Sequence, residues 1–447
     1  MKKSALALAI AAAVGASGVA AADTILYGSA RPSVDYTDVG DSIFIKLNER
    51  LPVDQQNQTL RDVSGGYWDV IDNSSRLGVR GSEDLGGGLS AIYQFEFGVD
   101  MTNGDNFVSN RPKWAGLKGG WGALTLGTQW TPYYNVLGAA DVFNMKNRAA
   151  GPFNTGRNVA QCLPAIPVAE GELVFPSTGS PAGYNCDTTY LGPLRYDNSV
   201  LYTTPNWNGL SAQAMLVMNG LQGTPTMTDR SNGVDGYDLN IKYENGPWFA
   251  GVAFDRLTGS KQYETLFPGR LGQLDDALSL WGVALGYNAD AWGLNFNVEY
   301  QDGTYNAPLN LQEPVSAANP RVSNNFETLN YYLVGRYSFG NNVLRAAWGY
   351  FNPRDFGKFD FVYVDPDTDF ETTSTIDGSK VQNVVLGWQY NFSKRTRTWV
   401  EWTGRFADID LSVQERTPDQ PAGRELISGG FPYPSVNAVS VGMRHDF

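Results

Sequence analysis

Cysteine, histidine and long apolar runs are all scarce in this chain of 447 residues, and each scarcity removes a class of protein. Two cysteines, Cys162 and Cys186, are too few for a disulfide-dense scaffold. They stand 24 positions apart, and in an exported chain they are expected to form one disulfide, worth about 3.5 kcal/mol by loop closure. With His445 as the single histidine, the chain cannot complete a zinc shell around those thiols. The same shortage leaves a serine-histidine hydrolase without a base, because His445 lies on an apolar strand face two residues from the end. Nowhere do about eighteen apolar residues follow one another, so no helix is expected to span a membrane. Basic residues are outnumbered 33 to 46, and the net charge of −13 argues against nucleic acid as a partner.

What the chain has in abundance is glycine, 50 residues, and aromatics, with 23 Tyr, 22 Phe and 12 Trp, a strand-and-turn composition. At the start, Lys2 and Lys3, an apolar run from Ala5 to Val14 and the small residues Val19 to Ala22 have the layout of a secretory signal peptide. Residues 1–22 are therefore set apart from the fold. Their removal takes away two lysines and no acid, leaving 31 basic residues against 46 acidic ones and a charge of −15.

The mature chain alternates with period two. Leu89, Ala91, Tyr93, Phe95 and Phe97 oppose Ser90, Gln94 and Glu96; Tyr237, Leu239, Ile241 and Tyr243 oppose Asp238, Asn240, Lys242 and Glu244. Leu294 to Gln301 and Val384 to Phe392 repeat the pattern. Alternation alone fits a soluble sandwich as well as a membrane barrel. The connections separate them. Seven short turns (Gly86 to Gly88, Gly119 to Gly122, Asn206 to Gly209, Asn245 to Pro247, Ala289 to Ala291, Gly340 to Asn342, Ser393 to Arg397) alternate with eight long polar loops. The loops run roughly over 38–72, 101–110, 131–194, 219–236, 257–277, 302–326, 352–379 and 408–436. Fifteen connections predict sixteen antiparallel strands, all-β. Strict short-long alternation is what a barrel crossing an outer membrane requires. A cylinder of that width holds water inside, and lipid outside forces it to close. A narrower structural or adhesive barrel would have a filled core instead. Trp207, Trp248, Trp292, Tyr337, Phe339 and Phe392 sit beside the short turns, where an interfacial girdle is expected.

Two motif-like stretches carry no chemistry. Asp365, Asp367 and Asp369 open like a calcium hand, but Phe370 replaces the required glycine and Ile376 the closing glutamate. Gly116 to Gly122 joins two strands and is no phosphate loop. No cofactor is expected.

The stretches Ser75 to Leu85, Gly86 to Leu89, Gly122 to Gly127 and Asn198 to Pro205, with a final strand ending on Phe447, resemble the Gram-negative general porins. That resemblance implies a trimer of sixteen-stranded barrels in the outer membrane, each a passive, non-enzymatic channel narrowed by a third loop, 131–194, folded inward. It also implies small hydrophilic solutes and ions, membrane lipid and lipopolysaccharide as partners. In the family, bases on the wall face acids on that loop. Here Arg76 and Arg80 match the wall bases and Asp141 the loop acid; Arg111 and Lys113 are expected on the same face at the start of the next strand, Arg31 has the right parity on the first strand, and Arg195 opens the strand that leaves the loop. Where further loop acids are expected, Lys146 and Arg148 stand instead, so the constriction is expected to be locally positive. A solute-selective porin with a site at the constriction is the alternative, kept open by Tyr133, Tyr134 and the inward-facing Tyr332.

Overall fold

The computed structural model describes residues 23–39, 43–46, 57–61, 65–102, 107, 111–143, 168–169, 172–173, 195–218, 234–257, 278–308, 321–353, 360–365, 370–417 and 420–447. The expected signal segment 1–22, both cysteines, Lys146 and Arg148 lie outside them.

Sixteen antiparallel staves form one closed barrel. The first two are each interrupted once: β1 is Asp23–Ala30 and Pro32–Val39, β2 is Gly65–Asp72 and Arg76–Gly86. There follow β3 (Leu89–Gly98), β4 (Lys113–Gly119), β5 (Gly122–Trp130), β6 (Arg195–Thr203), β7 (Leu210–Met218) and β8 (Val234–Asn245). Then come β9 (Trp248–Leu257), β10 (Leu278–Asn288), β11 (Trp292–Pro308) and β12 (Arg321–Phe339). The last are β13 (Asn342–Pro353), β14 (Phe370–Asn391), β15 (Thr396–Thr417) and β16 (Gln420–Asp446). All seven short turns occur at the expected places, the last ending at Arg395 rather than Arg397. Gly86, Gly87 and Gly88 all take positive φ, as the β2–β3 turn demands of them.

Closure falls on the chain's ends. Ser29 pairs with Asp446 and Val34 with Val441, and Gly28 and Phe447 exchange backbone bonds of 2.9 and 3.1 Å. The Phe447 ring lies over Gly28, where any Cβ would collide with it. The terminal phenylalanine therefore completes the ladder and covers the seam.

The alternation read from sequence is the inside-outside alternation of the wall. Leu239, Ile241, Val252, Val283, Leu285 and Leu294 are exposed on the outside, whereas Asn240, Asn295, Asn297 and Glu299 are buried inside. Apolar side chains left exposed on a continuous outer band are the reverse of a soluble protein and the requirement of lipid. The turn-side rings Trp207, Trp248, Trp292, Tyr337, Phe339 and Phe392 all stand exposed.

The long-loop side departs from expectation. β14 and β15 run 22 residues and β16 runs 27, well beyond the 9 to 11 or so needed to cross a bilayer. Most of the stretch expected as loop, 408–436, is instead a continued hairpin. Its prolines and glycines read as breakers in sequence, but register shifts at Arg405/Ala407, Val413/Gln414 and Glu415/Thr417 absorb the irregularity as bulges. Gly65–Asp72, also expected as loop, is ladder because Pro32–Val39 supplies its partners.

Candidate pore constriction

The chain leaving β5 turns into the barrel, and the reasons are local. Thr131 caps a short helix α1 (Pro132–Leu137): its Oγ1 accepts from the Tyr134 N–H at 3.0 Å, and proline at the first helical position needs no partner for a missing N–H. A single 3-10 turn, Gly138–Ala140, follows. The inner wall receives this segment with matched polar groups. Asp238 accepts from the Tyr133 N–H at 2.8 Å, and Asn240 donates to the Pro132 carbonyl at 2.7 Å. Asn297 donates to the Leu137 carbonyl at 2.7 Å, satisfying a helix-end group that has no intrahelical partner. The Tyr133 hydroxyl donates to Glu299 at 2.8 Å.

Between these bonds the contact is apolar. Tyr133, Val136 and Leu137 pack on Phe249, Ala253, Leu280 and Ala284; further along, Ala140 and Phe143 pack on Tyr332, Val334, Ala347 and Val385. Two glycines make the room. A Cβ on Gly251 would lie 2.8 Å from Val136, and one on Gly282 would lie 2.9 Å from Leu137. Small residues facing inward on β9 and β10 are thus the socket of the folded-in loop. Beside its root, Asp238 and Asp255 face each other in register, both fully covered, with the Tyr196 hydroxyl donating to Asp255 at 2.8 Å.

The other part of the inner wall is basic. Arg31, Arg345, Arg397 and Arg444, with Asn73, Gln389 and Trp399, line a recess. Arg31 is aimed there by the break in β1. Pro32 cannot donate to the ladder, so Ser75 Oγ accepts from the Arg31 N–H at 2.8 Å and the Asn73 N–H donates to the Arg31 carbonyl at 2.9 Å. Arg31 Nε donates to Ser29, while its buried Nη2 makes no hydrogen bond. Arg397 and Arg444 share one acid, Asp446, at 3.3 and 2.7 Å. Arg76 and Arg111 share Glu96, at 3.9 and 3.5 Å. Arg345 pairs with Glu401 at 2.8 Å. Five of these six guanidiniums thus share three carboxylates. Asp72 is a further acid beside Arg111, and Asp35, opposite Asp69, is buried on the inner face of β1. Arg76 and Arg397 keep 25% and 26% of their side-chain surface exposed.

Of the residues expected at the constriction, Arg31, Arg76 and Arg111 come together on this wall. Arg80 lies two same-face positions beyond Arg76 along β2, with its guanidinium 5.3 Å from the Tyr27 ring centre. Lys113 does not join Arg111. It pairs with Phe95, whose face is the apolar one, and its ammonium lies 5.9 Å from the Phe97 ring. The alternation does not run through Pro112, whose carbonyl already accepts from the Glu96 N–H ahead of the ladder. Arg195 is also elsewhere, stacked at 4.4 Å on Trp130 where the loop begins. Asp141 stands within electrostatic reach of Arg345 and Tyr332.

Sequence reasoning missed Arg345, Arg397 and Arg444. Arg397 was placed inside the turn after β14, although it is the second residue of β15 and pairs with Arg444. Arg345 and Arg444 were legible by parity alone, alternating with Leu344 and Ala346 and with Met443.

A barrel of this count, with a loop pinned inside and a charged wall opposite, points to one group of proteins. The model of the Gram-negative porin family matches residues 7–404. The chain belongs to that family. This porin is similar to the major outer membrane protein P.IB of Neisseria meningitidis, 26% identical over 402 residues that cover 90% of this chain and 92% of that one. It is similar also to P.IA of the same species, 25% identical with 96% of each chain covered. Among solved structures it shares its fold with the anion-selective porin from Comamonas acidovorans (TM-score 0.60, 18% identity, 96% of this chain and 100% of that one). OmpT of Vibrio cholerae, in its trimer form, gives a TM-score of 0.52 at 12% identity, with 96% and 100% covered. The porin is an outer-membrane channel.

Proposed function

We propose that this porin is a passive, non-catalytic pore for small hydrophilic solutes, with a preference for anions, assembled as a trimer. The observation that carries the preference is the recess itself, whose lining holds four guanidiniums and no carboxylate. It is reinforced by the loop side, where Asp141 is the one charged residue among residues 131–143. Fixed positive charge along a narrow water path concentrates anions and repels cations. The fold neighbour from Comamonas is itself described as anion-selective and OmpT as a trimer, properties of those proteins that agree with the reading.

A solute-selective path of stacked aromatics finds no support among the described residues. Tyr133 and Tyr332 face inward but are buried beneath the loop, at 0% and 3% exposure, and Tyr134 is stacked on Trp130. The single histidine, His445, sits on the outer face beside Thr396, so no serine-histidine pair faces the lumen. Residues 1–22 are read as a cleaved export signal and Cys162 with Cys186 as a loop disulfide.

Planar-bilayer recording of the purified protein tests the reading. Under a potassium chloride gradient the reversal potential takes the sign of chloride preference, and insertion appears as conductance steps in groups of three. A potassium-selective reversal potential overturns the preference. Liposome-swelling rates that fall steadily with solute size support the general pore; saturation by one solute refutes it.

A further inference from the structure

Arg345 differs from its basic neighbours in what it touches. One arm, Nη2, donates to Glu401 on β15 at 2.8 Å; the other, Nη1, donates at 2.6 Å to the main-chain carbonyl of Val142 in the folded-in loop. The plane of the guanidinium lies 5.1 Å from the Phe143 ring centre. Its side chain is 5% exposed and that of Glu401 is 3% exposed. The two are not on adjacent strands. β14 runs between them, and in the register Arg345–Gly387–Glu401 the intervening residue is glycine. A Cβ there would lie 2.9 Å from Glu401 and 3.1 Å from Phe143. Gly387 therefore opens the gap through which the ion pair forms and into which Phe143 seats.

We propose that Arg345 is the positioning residue of the constriction, clamping the Val142–Phe143 segment of the folded-in loop to β13 and β15, and that it contributes little to ion preference. The two halves of the claim have one cause. A carboxylate at 2.8 Å offsets the charge of Arg345, whereas, among the described residues, Arg31 has no carboxylate at ion-pair distance and Arg397 and Arg444 both reach Asp446. Only a planar fork can hold Glu401 and a carbonyl at once while stacking on a ring, so a lysine keeps the charge but cannot keep all three contacts. At its root the loop is held by Asp238, Asn240, Asn297 and Glu299; at Val142 it is held by Arg345.

The claim depends on the loop lying in the pore, not on the anion preference, and the two are read by different signals. R345M/E401Q removes the clamp without stranding a buried charge; R345K keeps the charge alone; G387V unseats Phe143 with every charge in place. Each is recorded in planar bilayers for open-channel current noise and for reversal potential. Several-fold excess noise in R345M/E401Q and G387V is expected, with R345K between them and wild type, and reversal potentials shifting far less than in an Arg31 variant. Should one variant fail to assemble in detergent, the others are read by the same two signals. Wild-type noise in the variants that assemble, or a reversal potential that moves as much as in R31Q, overturns the proposal.

Discussion

Two regions of the inner wall carry similar numbers of polar residues and use them in opposite ways. On β8 to β11, Asp238, Asn240, Asn297 and Glu299 are spent on the loop: each bonds a named backbone or hydroxyl group of α1, and the loop keeps water away from them. On β15, β16, β1 and β2, the arginines bond mostly to other wall residues and border the recess; Arg345 on β13, bonded to the loop, belongs with the first group. An inward position fixes only that a residue is polar. Whether the loop covers it decides whether it is scaffold or pore. Charged residues on the covered side should therefore govern stability, and those on the open side selectivity.

The sharpest way to break this division is to neutralise the open side. R31Q/R444Q removes two guanidiniums yet strands no acid, because Asp446 retains Arg397. Loss of most of the chloride preference is expected, with assembly intact; a reversal potential that does not move would show that the selective charges lie elsewhere. The counterpart on the covered side is G282V, which drives a branched side chain into Leu137. Overpacking of this kind costs about 1–3 kcal/mol. A lowered unfolding midpoint in detergent is expected, with the sign of selectivity retained. A selectivity reversal in G282V would merge the two regions into one.

The division also sets what the sequence could reveal. Strand number, turn positions and the outer face were legible because period two and turn chemistry are local, and lipid on one side with water on the other leaves each position a single choice. The wall arginines were half legible. Arg31 and Arg76 stand at clean parity, whereas Lys113 is misplaced where Pro112 interrupts the ladder and Arg397 is lost to a turn that ends two residues earlier, at Arg395. The socket was not legible at all. Gly251, Gly282 and Gly387 read as generic strand glycines, and what gives them meaning is a loop that reaches them from over a hundred residues away in sequence. Likewise the pairing of Arg345 with Glu401 needs the register of three strands, which no local pattern contains.

The smallest effects sharpen the comparison most finely, since they ask whether single bonds on the covered side act on stability alone. Asn297→Ala deletes the donor to the Leu137 carbonyl and leaves that carbonyl next to a cavity the size of a carboxamide. A hydrogen bond of this kind is worth about 1 kcal/mol net, and an acceptor left without its donor costs somewhat more. Tyr133→Phe should cost rather more than Asn297→Ala, because it strips a bond from the buried Glu299 carboxylate, and bonds to charged groups are worth about 1.5–3 kcal/mol. Urea unfolding in detergent should rank them in that order. Salt separates the mechanisms. Raising the ionic strength from 0.1 to 1 M shortens the screening length from about 10 to about 3 Å, so the chloride preference set by the open wall should fall. The stability differences of Asn297→Ala and Tyr133→Phe, made by buried groups in contact, should persist. If both fade together with salt, the covered side is wetter than its packing says.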